Sequence, residues 1–515
     1  MTSRFLRVFS PFVKIMPEVK PPEREVSFKE KFAWTALVLI IYLIMSNIPL
    51  AGIPRGEGTD YFFWWRVLLA SQRGTLAELG IGPIVTAGLI MQLLAGSQII
   101  KVDFSDPRDR SLFTGVQKVL AVIMTLVQII AYLAAGAYGS INLVQQMVIF
   151  GQLFVAGIII ILLDELLQKG WGLGSGVSLF IASGVAMQII WLCFSPFGAE
   201  DGLNIGIVIA LFQVIGSWGT VRPFSVDLGT SETPNVLPFT GVNNFGSIWD
   251  RRPVVLEITG ELPTINPNLP TMIGLMTTII IVVIVIFLET VRVEIPLQYA
   301  KYRGFKGKYP IKLLYVSNIP VILVQALYAN ALFFGQLLYN AFKGNPFIEF
   351  FAKFSTVTPG EGASQWMTPA PGCVLYYLTP PRSILDLTAD PLRAVIYMGI
   401  LVLLCVWFSK IWVDVSGIAP RDIAHQILRA GLMVPGFRPT PRVLERILER
   451  YIPTVTTIGA ISVGILASGA DFLGALGTGM GILLTVGIIY QYYQIIAQEQ
   501  MASMNPAMRG LLGLE

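Results

Sequence analysis

The sequence contains few charged residues, a single histidine and only three cysteines. Lysine, arginine, aspartate and glutamate make up 13% of its 515 residues, about half of the fraction that is usual in soluble proteins. His425 stands alone, which excludes a multi-histidine metal centre, and the cysteines form no Cys-x-x-Cys motif. The motifs GxxxxGK(S/T), GxGxxG and HExxH are also missing. We therefore predict no metal, no cofactor, no ATP hydrolysis and no metalloprotease activity.

Apolar residues are correspondingly frequent. They make up 54% of the chain, and the mean hydropathy is +0.67. Uncharged runs of about 18 or more residues recur along the chain, which indicates a multi-pass membrane protein. The predicted spans are ten: 33–50, 83–100, 116–138, 143–167, 177–194, 271–288, 313–339, 392–413, 452–471 and 473–497.

Charged residues are missing from the interior of all ten predicted spans and stop at or near their ends. Ion-coupled transporters and intramembrane enzymes need ionisable groups at depth for proton relays or catalysis. We therefore predict that the protein is not an enzyme. A secondary transporter of small solutes is the main alternative, and an intramembrane protease is a weaker one.

Lysine and arginine collect at the N-terminus and in the loops that follow spans 2, 6 and 8. By the positive-inside rule both termini are cytosolic, which requires an even number of spans. Five spans in each half permit an inverted repeat around a central pathway. We expect a cytosolic N-terminal segment, an N-terminal half, an external insertion, a C-terminal half and a cytosolic tail, at 1–31, 32–195, 196–268, 269–498 and 499–515. This topology allows Cys193 and Cys373 to meet on one side of the membrane, but we expect unpaired thiols.

One apolar stretch, residues 61–71, is too short to cross a membrane. A helix of this length would extend about 16 Å, compared with a hydrocarbon core of about 30 Å. Backbone that enters a membrane without crossing it must be buried in protein or line a wet cavity. The stretch therefore predicts a cavity. The span at 83–100 is the next apolar run in the sequence.

Four long stretches resemble the SecY family, the channel subunit of the protein-conducting translocon. They read GTLAELGIGPIVTAGLIMQLLAGSQII, LDELLQKGWGLGSGVSLFIASGV, RVEIPLQYAKYRGFKGKYPIKLLYVSNIPVIL and DFLGALGTGMGILLTVGIIYQYY. The resemblance covers nearly the whole chain in order, and only 196–268 stands outside it. It implies an all-α membrane protein with ten helices in two pseudo-symmetric inverted halves, spans 1–5 and 6–10, around an hourglass pore.

The resemblance also implies which residues close that pore. An apolar ring would form the waist, where branched aliphatic side chains offer no partner to water or ions. Its members, called the ring residues below, are Ile81, Val85, Val177, Ile181, Ile322 and Leu484. The short stretch would be the plug helix: Tyr61, Phe62, Phe63, Trp64, Trp65, Arg66, Val67, Leu68, Leu69, Ala70 and Ser71.

A lateral gate is implied between spans 2 and 3 on one side and spans 7 and 8 on the other. Thr86, Gln128 and Asn330 match the family's polar cluster across this seam. Many relatives carry a carboxylate where this chain has Gln128. Hydrogen bonds there would favour the closed state, and an inserting apolar segment would offset them.

The basic loops after spans 6 and 8 would dock on the phosphates of ribosomal RNA. The predicted docking residues are Lys301, Arg303, Lys306, Lys308, Arg421, Arg429, Arg438 and Arg442. By the same resemblance, the protein would be a passive channel in the cell membrane that passes unfolded secretory chains and releases hydrophobic segments into lipid. Its implied partners are the ribosome, nascent chains with their signal sequences, membrane lipid, a SecE/gamma-type subunit and a beta-type subunit.

Overall fold

The computed structural model describes most of the chain. The described residues are 4–53, 74–97, 99–100, 102, 107–139, 141–197, 204–216, 270–299, 306–314, 318–342, 344–357, 366–381, 384–429, 431–434 and 440–504. Within them, eight helices are long and apolar enough to cross a membrane. Two further helices, Phe28–Asn47 and the shorter Gly82–Gly96, bring the bundle to ten, which is consistent with the predicted number of spans.

The helices and strands are numbered here in chain order. The helices are α1 (Arg4–Ile15), α2 (Phe28–Asn47), α3 (Gly82–Gly96), α4 (Pro107–Ala134), α5 (Leu143–Leu166), α6 (Gly176–Phe194), α7 (Ile207–Gly216), α8 (Met272–Thr290), α9 (Asn318–Ala341), α10 (Pro346–Phe351), α11 (Ile384–Ala389), α12 (Pro391–Val415), α13 (Pro420–Arg429), α14 (Pro441–Phe472) and α15 (Gly479–Met504). The strands are β1 (Arg292–Tyr299), β2 (Lys306–Lys312), β3 (Phe354–Val357), β4 (Trp366–Pro369) and β5 (Leu432–Met433).

Most helices match the predicted spans closely, but α4 and α14 begin earlier than predicted, at Pro107 and Pro441 instead of 116 and 452. For α14, the sequence predicts a basic loop before residue 452. The structure shows a helix from Pro441, in which Leu444, Leu448 and Ile452 are buried on one face and Arg446 and Arg450 are exposed on the other. An amphipathic turn of this kind is helical by its 3.6-residue period, although its average hydropathy is low.

Two basic loops of the sequence fold together into one small unit, called the sheet module here. Strands β2, β1 and β5 form an antiparallel sheet in that order. Ile295 and Leu297 of β1 pack into a separate hydrophobic core with Ile423 and Ile427 of α13 and with the first turns of α14. The sequence predicts basic loops here, and the short sheet differs from that expectation.

The sheet module lies at one end of the bundle, called the basic face here. The N-terminal strap (residues 16–20) lies at the same end. The Trp171 indole donates to the Lys20 carbonyl (2.8 Å), the Tyr492 hydroxyl of α15 lies 3.1 Å from the nearby Leu173 carbonyl, and Lys312 of β2 donates to Gln494 of α15. Lys169 pairs with Glu18 of the strap, and Lys118 of α4 pairs with Glu165 of α5 at 2.6 Å.

The other end of the bundle carries shorter elements. Helix α7 has ten residues, too few to cross a membrane. Ile207, Ala210 and Val214 of α7 pack against Met272 and Leu275 of α8. Cys193 and Cys373 are both free and buried, which confirms the expectation of unpaired thiols.

Each half contains a turn before its last helix, and the two turns have matching sequences. Residues 173–176 read LGSG before α6, and residues 476–479 read LGTG before α15. Gly174 and Gly477 both have a positive φ, +69° and +94°. A side chain with a Cβ adopts this conformation only with strain, so both turns need their glycine.

A threonine of the first helix in each half binds the matching turn. The Thr35 hydroxyl of α2 accepts the amide hydrogen of Leu173 at 2.9 Å. The Thr278 hydroxyl of α8 accepts the amide hydrogen of Leu476, also at 2.9 Å. Each hydroxyl donates in turn to the carbonyl four residues earlier in its own helix.

An aspartate at the end of the fourth helix in each half holds the start of the last helix. Asp164 of α5 accepts from the amide of Val177 at 2.9 Å. Asp471 of α14 accepts from the amide of Gly479 at 2.7 Å. Both carboxyl groups are buried and satisfy amides that a helix start leaves unpaired. The inverted relation between the halves therefore extends to individual hydrogen bonds.

Candidate functional site: pore waist, gate and loop base

The ring residues come from four helices, two in each half. Ile81 and Val85 lie at the start of α3, Val177 and Ile181 at the start of α6, Ile322 near the start of α9, and Leu484 near the start of α15. Five of the six are buried in one hydrophobic core, and the partly buried Val177 packs against the same core. The structure therefore places apolar side chains from both halves, separated by up to four hundred positions in the sequence, in one continuous core.

The position of Ile81 depends on an irregular approach to α3. Gly80 has a φ of +50°, which turns the chain before the helix. Pro83 occupies the first turn of α3, where its missing amide hydrogen costs nothing. The carbonyl of Ile81 accepts the first helical bond from Val85 at 3.0 Å. Ile81 therefore sits at the tip of a helix that begins inside the bundle.

Two of the three predicted gate residues bind each other across the halves. Asn330 of α9 donates its amide hydrogen to the Thr86 hydroxyl of α3 at 2.9 Å. The Thr86 hydroxyl lies 3.2 Å from the Asn330 amide oxygen, to which it can donate. The same Asn330 amide nitrogen also donates to the Ala326 carbonyl at 2.7 Å. This pair is a direct polar contact between α3 and α9.

Gln128, the third predicted gate residue, stands apart from that pair. It is fully buried on α4. Neither its amide oxygen nor its amide nitrogen has a hydrogen-bond partner among the described residues. An unpaired buried amide costs about 1–3 kcal/mol. Gln128 therefore disfavours the conformation seen here by an amount comparable to what the Thr86–Asn330 pair contributes.

The plug residues 61–71 lie outside the described residues, but the two ends of the loop that contains them are described. The segment at Ile48–Leu50 runs antiparallel to the segment at Gly74–Leu76. The amide of Leu50 donates to the Gly74 carbonyl at 2.7 Å, and the amide of Leu76 donates to the Ile48 carbonyl at 3.0 Å. These two bonds join the start and the end of the loop at a fixed base.

Two side chains, one on α5 and one in the approach to α3, hold this loop base. Gln152 of α5 accepts from the Ala51 amide at 3.0 Å and donates to the Ala51 carbonyl at 3.3 Å. The Glu78 carboxyl accepts from the Gly74 amide at 3.1 Å and from the Tyr138 hydroxyl at 2.8 Å. The sequence does not predict this role for Gln152 or for Glu78. A signal was available, because Glu78 is the only charged residue between Gly74 and Ile100.

The predicted docking residues that the structure describes lie on the sheet module. Lys308, Arg421, Arg429 and Arg442 are exposed there, and Lys308 pairs with Glu294. Lys301, Arg303 and Arg438 lie outside the described residues, and of Lys306 only the backbone in β2 is described. The module therefore joins two basic loops of the sequence into one positively charged surface.

Comparisons with known proteins agree with this geometry. Residues 75–493 match the model of the SecY family, and residues 40–74 match the plug domain of Sec61p. Among solved structures, a protein-conducting channel is 36% identical, with 97% of this chain and 98% of that chain covered and a TM-score of 0.74.

Two other solved structures are similar to the same extent. A SecY protein, described with a plug domain that stabilises the closed channel, is 35% identical with a TM-score of 0.73, and 97% of this chain and 98% of that chain are covered. Canine Sec61, in the ribosome–channel complex from the endoplasmic reticulum, is 35% identical with a TM-score of 0.71 and the same coverage. The chain therefore belongs to the SecY family, and its central pore is that of a protein-conducting channel.

Proposed function

We propose that unfolded polypeptides cross the membrane through the waist formed by the ring residues. The observation that carries this proposal is the single apolar core that these residues share across both halves. A narrow apolar constriction loses its water and blocks ions at rest. Because aliphatic side chains make no specific bonds to a passing chain, the same constriction tolerates any sequence.

The Thr86–Asn330 pair would act as the latch of a lateral gate through which hydrophobic segments enter the lipid. Interhelical hydrogen bonds of this kind contribute about 0.6–2 kcal/mol each. A leucine or isoleucine at the centre of an inserting helix contributes about −0.3 to −0.6 kcal/mol. Several such residues therefore outweigh the latch. The unpaired amide of Gln128 lowers the threshold further, because opening gives it access to water or to the incoming chain.

The basic face would be cytosolic and would dock on a translating ribosome, which supplies the energy. The exposed arginines of the sheet module fit the phosphates of ribosomal RNA, and canine Sec61 is described in a ribosome complex. Both chain termini would then be cytosolic. Two small subunits, of the SecE/gamma and beta types, would complete the channel, and residues 61–71 would plug its outer funnel above the loop base.

Crosslinking to stalled nascent chains tests the pore. Single cysteines at Ile81, Ile322 and Leu484 carry a thiol-reactive crosslinker, and Leu37 on α2, an exposed position, is the control. We expect adducts at the three ring positions and none at Leu37. Ribosome-bound channels without adducts at any ring position would contradict the proposed path.

Signal sequences of graded hydrophobicity test the gate. Asn330→Leu removes the latch, so we expect insertion of segments that are too polar for the unmodified channel. Gln336→Leu on the same helix is the matched control, because Gln336 contacts Met367 in the loop after α9 and not α3. An unchanged threshold in Asn330→Leu would contradict the latch.

Ribosome binding tests the basic face. We expect the charge reversals Arg442→Glu and Arg421→Glu to weaken binding, and the loss to be larger at low salt than at high salt. The acidic Glu445 lies on the same helix as Arg442, and Glu445→Gln is the control that should not weaken binding. Binding that is indifferent to both reversals would contradict the docking surface and leave the pore proposal intact.

A further inference from the structure

Among the described side chains of helix α1, only half of the apolar surface packs against the bundle. Phe9 and Val13 contact a small core formed by α3 and α4, which includes Phe113 and Val116. The approach is close, since a Cβ at Gly115 of α4 would lie 2.5 Å from Val13. This half of the helix is therefore fixed to two helices of the bundle.

The other half of the apolar surface has no covering protein among the described residues. Phe12 is 57% exposed and Ile15 is 81% exposed. At 100° per residue, Phe12 lies about 60° and Ile15 about 120° around the helix from Phe9. Lys14 lies about 160° from Phe12, on the polar side. The apolar surface therefore continues without a break from the packed half to the uncovered half.

The depth of α1 relative to α4 indicates what surrounds this uncovered half. The charged residues Asp109 and Arg110 occupy the first turn of α4, and Lys118 is the last charged residue of that helix. Val13 packs beside Gly115, which lies between Arg110 and Lys118. Helix α1 thus lies level with the boundary between the charged start of α4 and its uncharged span, which begins after Lys118.

The charge of the segment also indicates what surrounds it. The first seventeen residues carry three cations, Arg4, Arg7 and Lys14, and no acidic side chain. A strongly amphipathic helix with a cationic polar side lies in the membrane interface, about 5–10 Å into the boundary between headgroups and acyl chains. Anionic lipid attracts each such cation by about 1 kcal/mol.

We propose that α1 is a lipid-binding helix: Phe12 and Ile15 insert into the leaflet at the basic face, and Lys14 binds anionic phospholipid headgroups. The occupant of the uncovered surface is therefore lipid and not another protein. This site lies outside the pore, the gate and the sheet module, and it does not depend on the function proposed for them.

Lipid-based quenching tests this proposal on the full chain reconstituted in vesicles. An environment-sensitive fluorophore is attached to Phe12→Cys, and the matched control carries it at Lys14→Cys. The vesicles contain phosphatidylcholine and phosphatidylglycerol, with a nitroxide quencher on the acyl chain. We expect blue-shifted emission and strong quenching at residue 12, and water-like, unquenched emission at residue 14. Water-like emission at both positions would overturn the proposal, and a blue-shifted but unquenched label at residue 12 would mean that a protein covers it.

The charge requirement has its own test. With the fluorophore at residue 12, the nitroxide is placed on phosphatidylglycerol or on phosphatidylcholine in otherwise identical vesicles. We expect stronger quenching by the anionic lipid. Lys14→Glu should reduce this preference at least about fivefold, the change that corresponds to about 1 kcal/mol per cation, and Lys14→Arg should retain it. Equal quenching by both lipids in the unmodified chain would overturn the anionic part of the proposal.

Discussion

The turn before α6 and the turn before α15 contain the same hydrogen bonds from threonine and aspartate, yet they are connected to different parts of the protein. The second carboxyl oxygen of Asp164 accepts from Gln168 of the adjoining turn at 2.8 Å. The second carboxyl oxygen of Asp471 accepts from the Tyr397 hydroxyl of α12 at 3.0 Å. The aspartate of the C-terminal half therefore joins three helices, whereas that of the N-terminal half joins two.

The turn of the N-terminal half is in contact with the other half instead. The Tyr492 hydroxyl of α15 lies 3.1 Å from the carbonyls of both Leu173 and Ser175. A Cβ at Gly174 would lie 2.9 Å from this hydroxyl, so the glycine also makes room for it. One turn of the repeat thus stabilises its own half, and the other turn connects the two halves at the basic face.

Replacing the two aspartates should distinguish these roles, and we expect these substitutions to lower the stability more than the others described below. Asp471→Ala leaves the Gly479 amide and the Tyr397 hydroxyl buried without a partner, at about 1–3 kcal/mol each. Asp164→Ala leaves the Val177 amide unpaired, while the half-exposed Gln168 can turn to water. We therefore expect a larger drop in the apparent unfolding temperature, measured in detergent, for Asp471→Ala.

The asparagine variants at both positions are the control, because they keep an oxygen that accepts the helix-start amide. We expect each to recover part of the loss. Equal destabilisation by the two alanine variants would contradict the inference that Asp471 joins more of the structure than Asp164.

Replacing the two threonines should instead show what the turns share. Thr35→Val and Thr278→Val each remove the acceptor for one buried turn amide, for which we expect about 1–2 kcal/mol of lost stability in both. Thr→Ser at either position keeps the hydroxyl and should be close to neutral in the same unfolding measurement. If only one of the two valine variants lost stability, the equal hydrogen-bond distances in the two turns would not correspond to equal contributions to stability.

The repeat illustrates what the sequence predicts and what it does not. The apolar runs predict the helices, because a span needs about 20 such residues and little else. The LGSG and LGTG turns are also visible in the sequence. Their partners Thr35 and Thr278 are not, since each lies more than a hundred positions away and is one of many threonines in apolar helices.

The gate and the loop base show the same limit at the level of side chains. The resemblance predicted Thr86, Gln128 and Asn330 as one cluster, and the structure joins the first and third only. Whether a buried amide finds a partner depends on packing shifts of about an ångström, which a motif does not encode. Glu78 precedes the predicted span, so the lack of charge inside the spans gives no information about its role.

Removing the tyrosine hydroxyls should give a smaller and more specific difference. Tyr492→Phe removes a contact between the halves of about 0.5–1.5 kcal/mol, and we expect a broader distance distribution between spin labels at the exposed positions Ile130 and Phe334. Tyr397→Phe removes a similar bond inside the C-terminal half, so it should lower stability without broadening the distribution. Broadening in both variants, or in neither, would contradict the assignment of Tyr492 as the contact between halves.

Acidification should give the smallest effect, confined to the turn of the N-terminal half. The hydrogen bond and charge of Lys169 lower the pKa of Glu18 below its ordinary value of 4.5. The contact between strap and turn is therefore fully present above that value and is lost as the pH falls through the lowered pKa. A spin label at Lys20→Cys should become more mobile over this range, whereas in Glu18→Gln its mobility should not follow pH there. Residues 471–481 contain no lysine, so the matching turn cannot form this ion pair. If the label in Glu18→Gln became more mobile with falling pH to the same extent, another group would be responsible for the pH response.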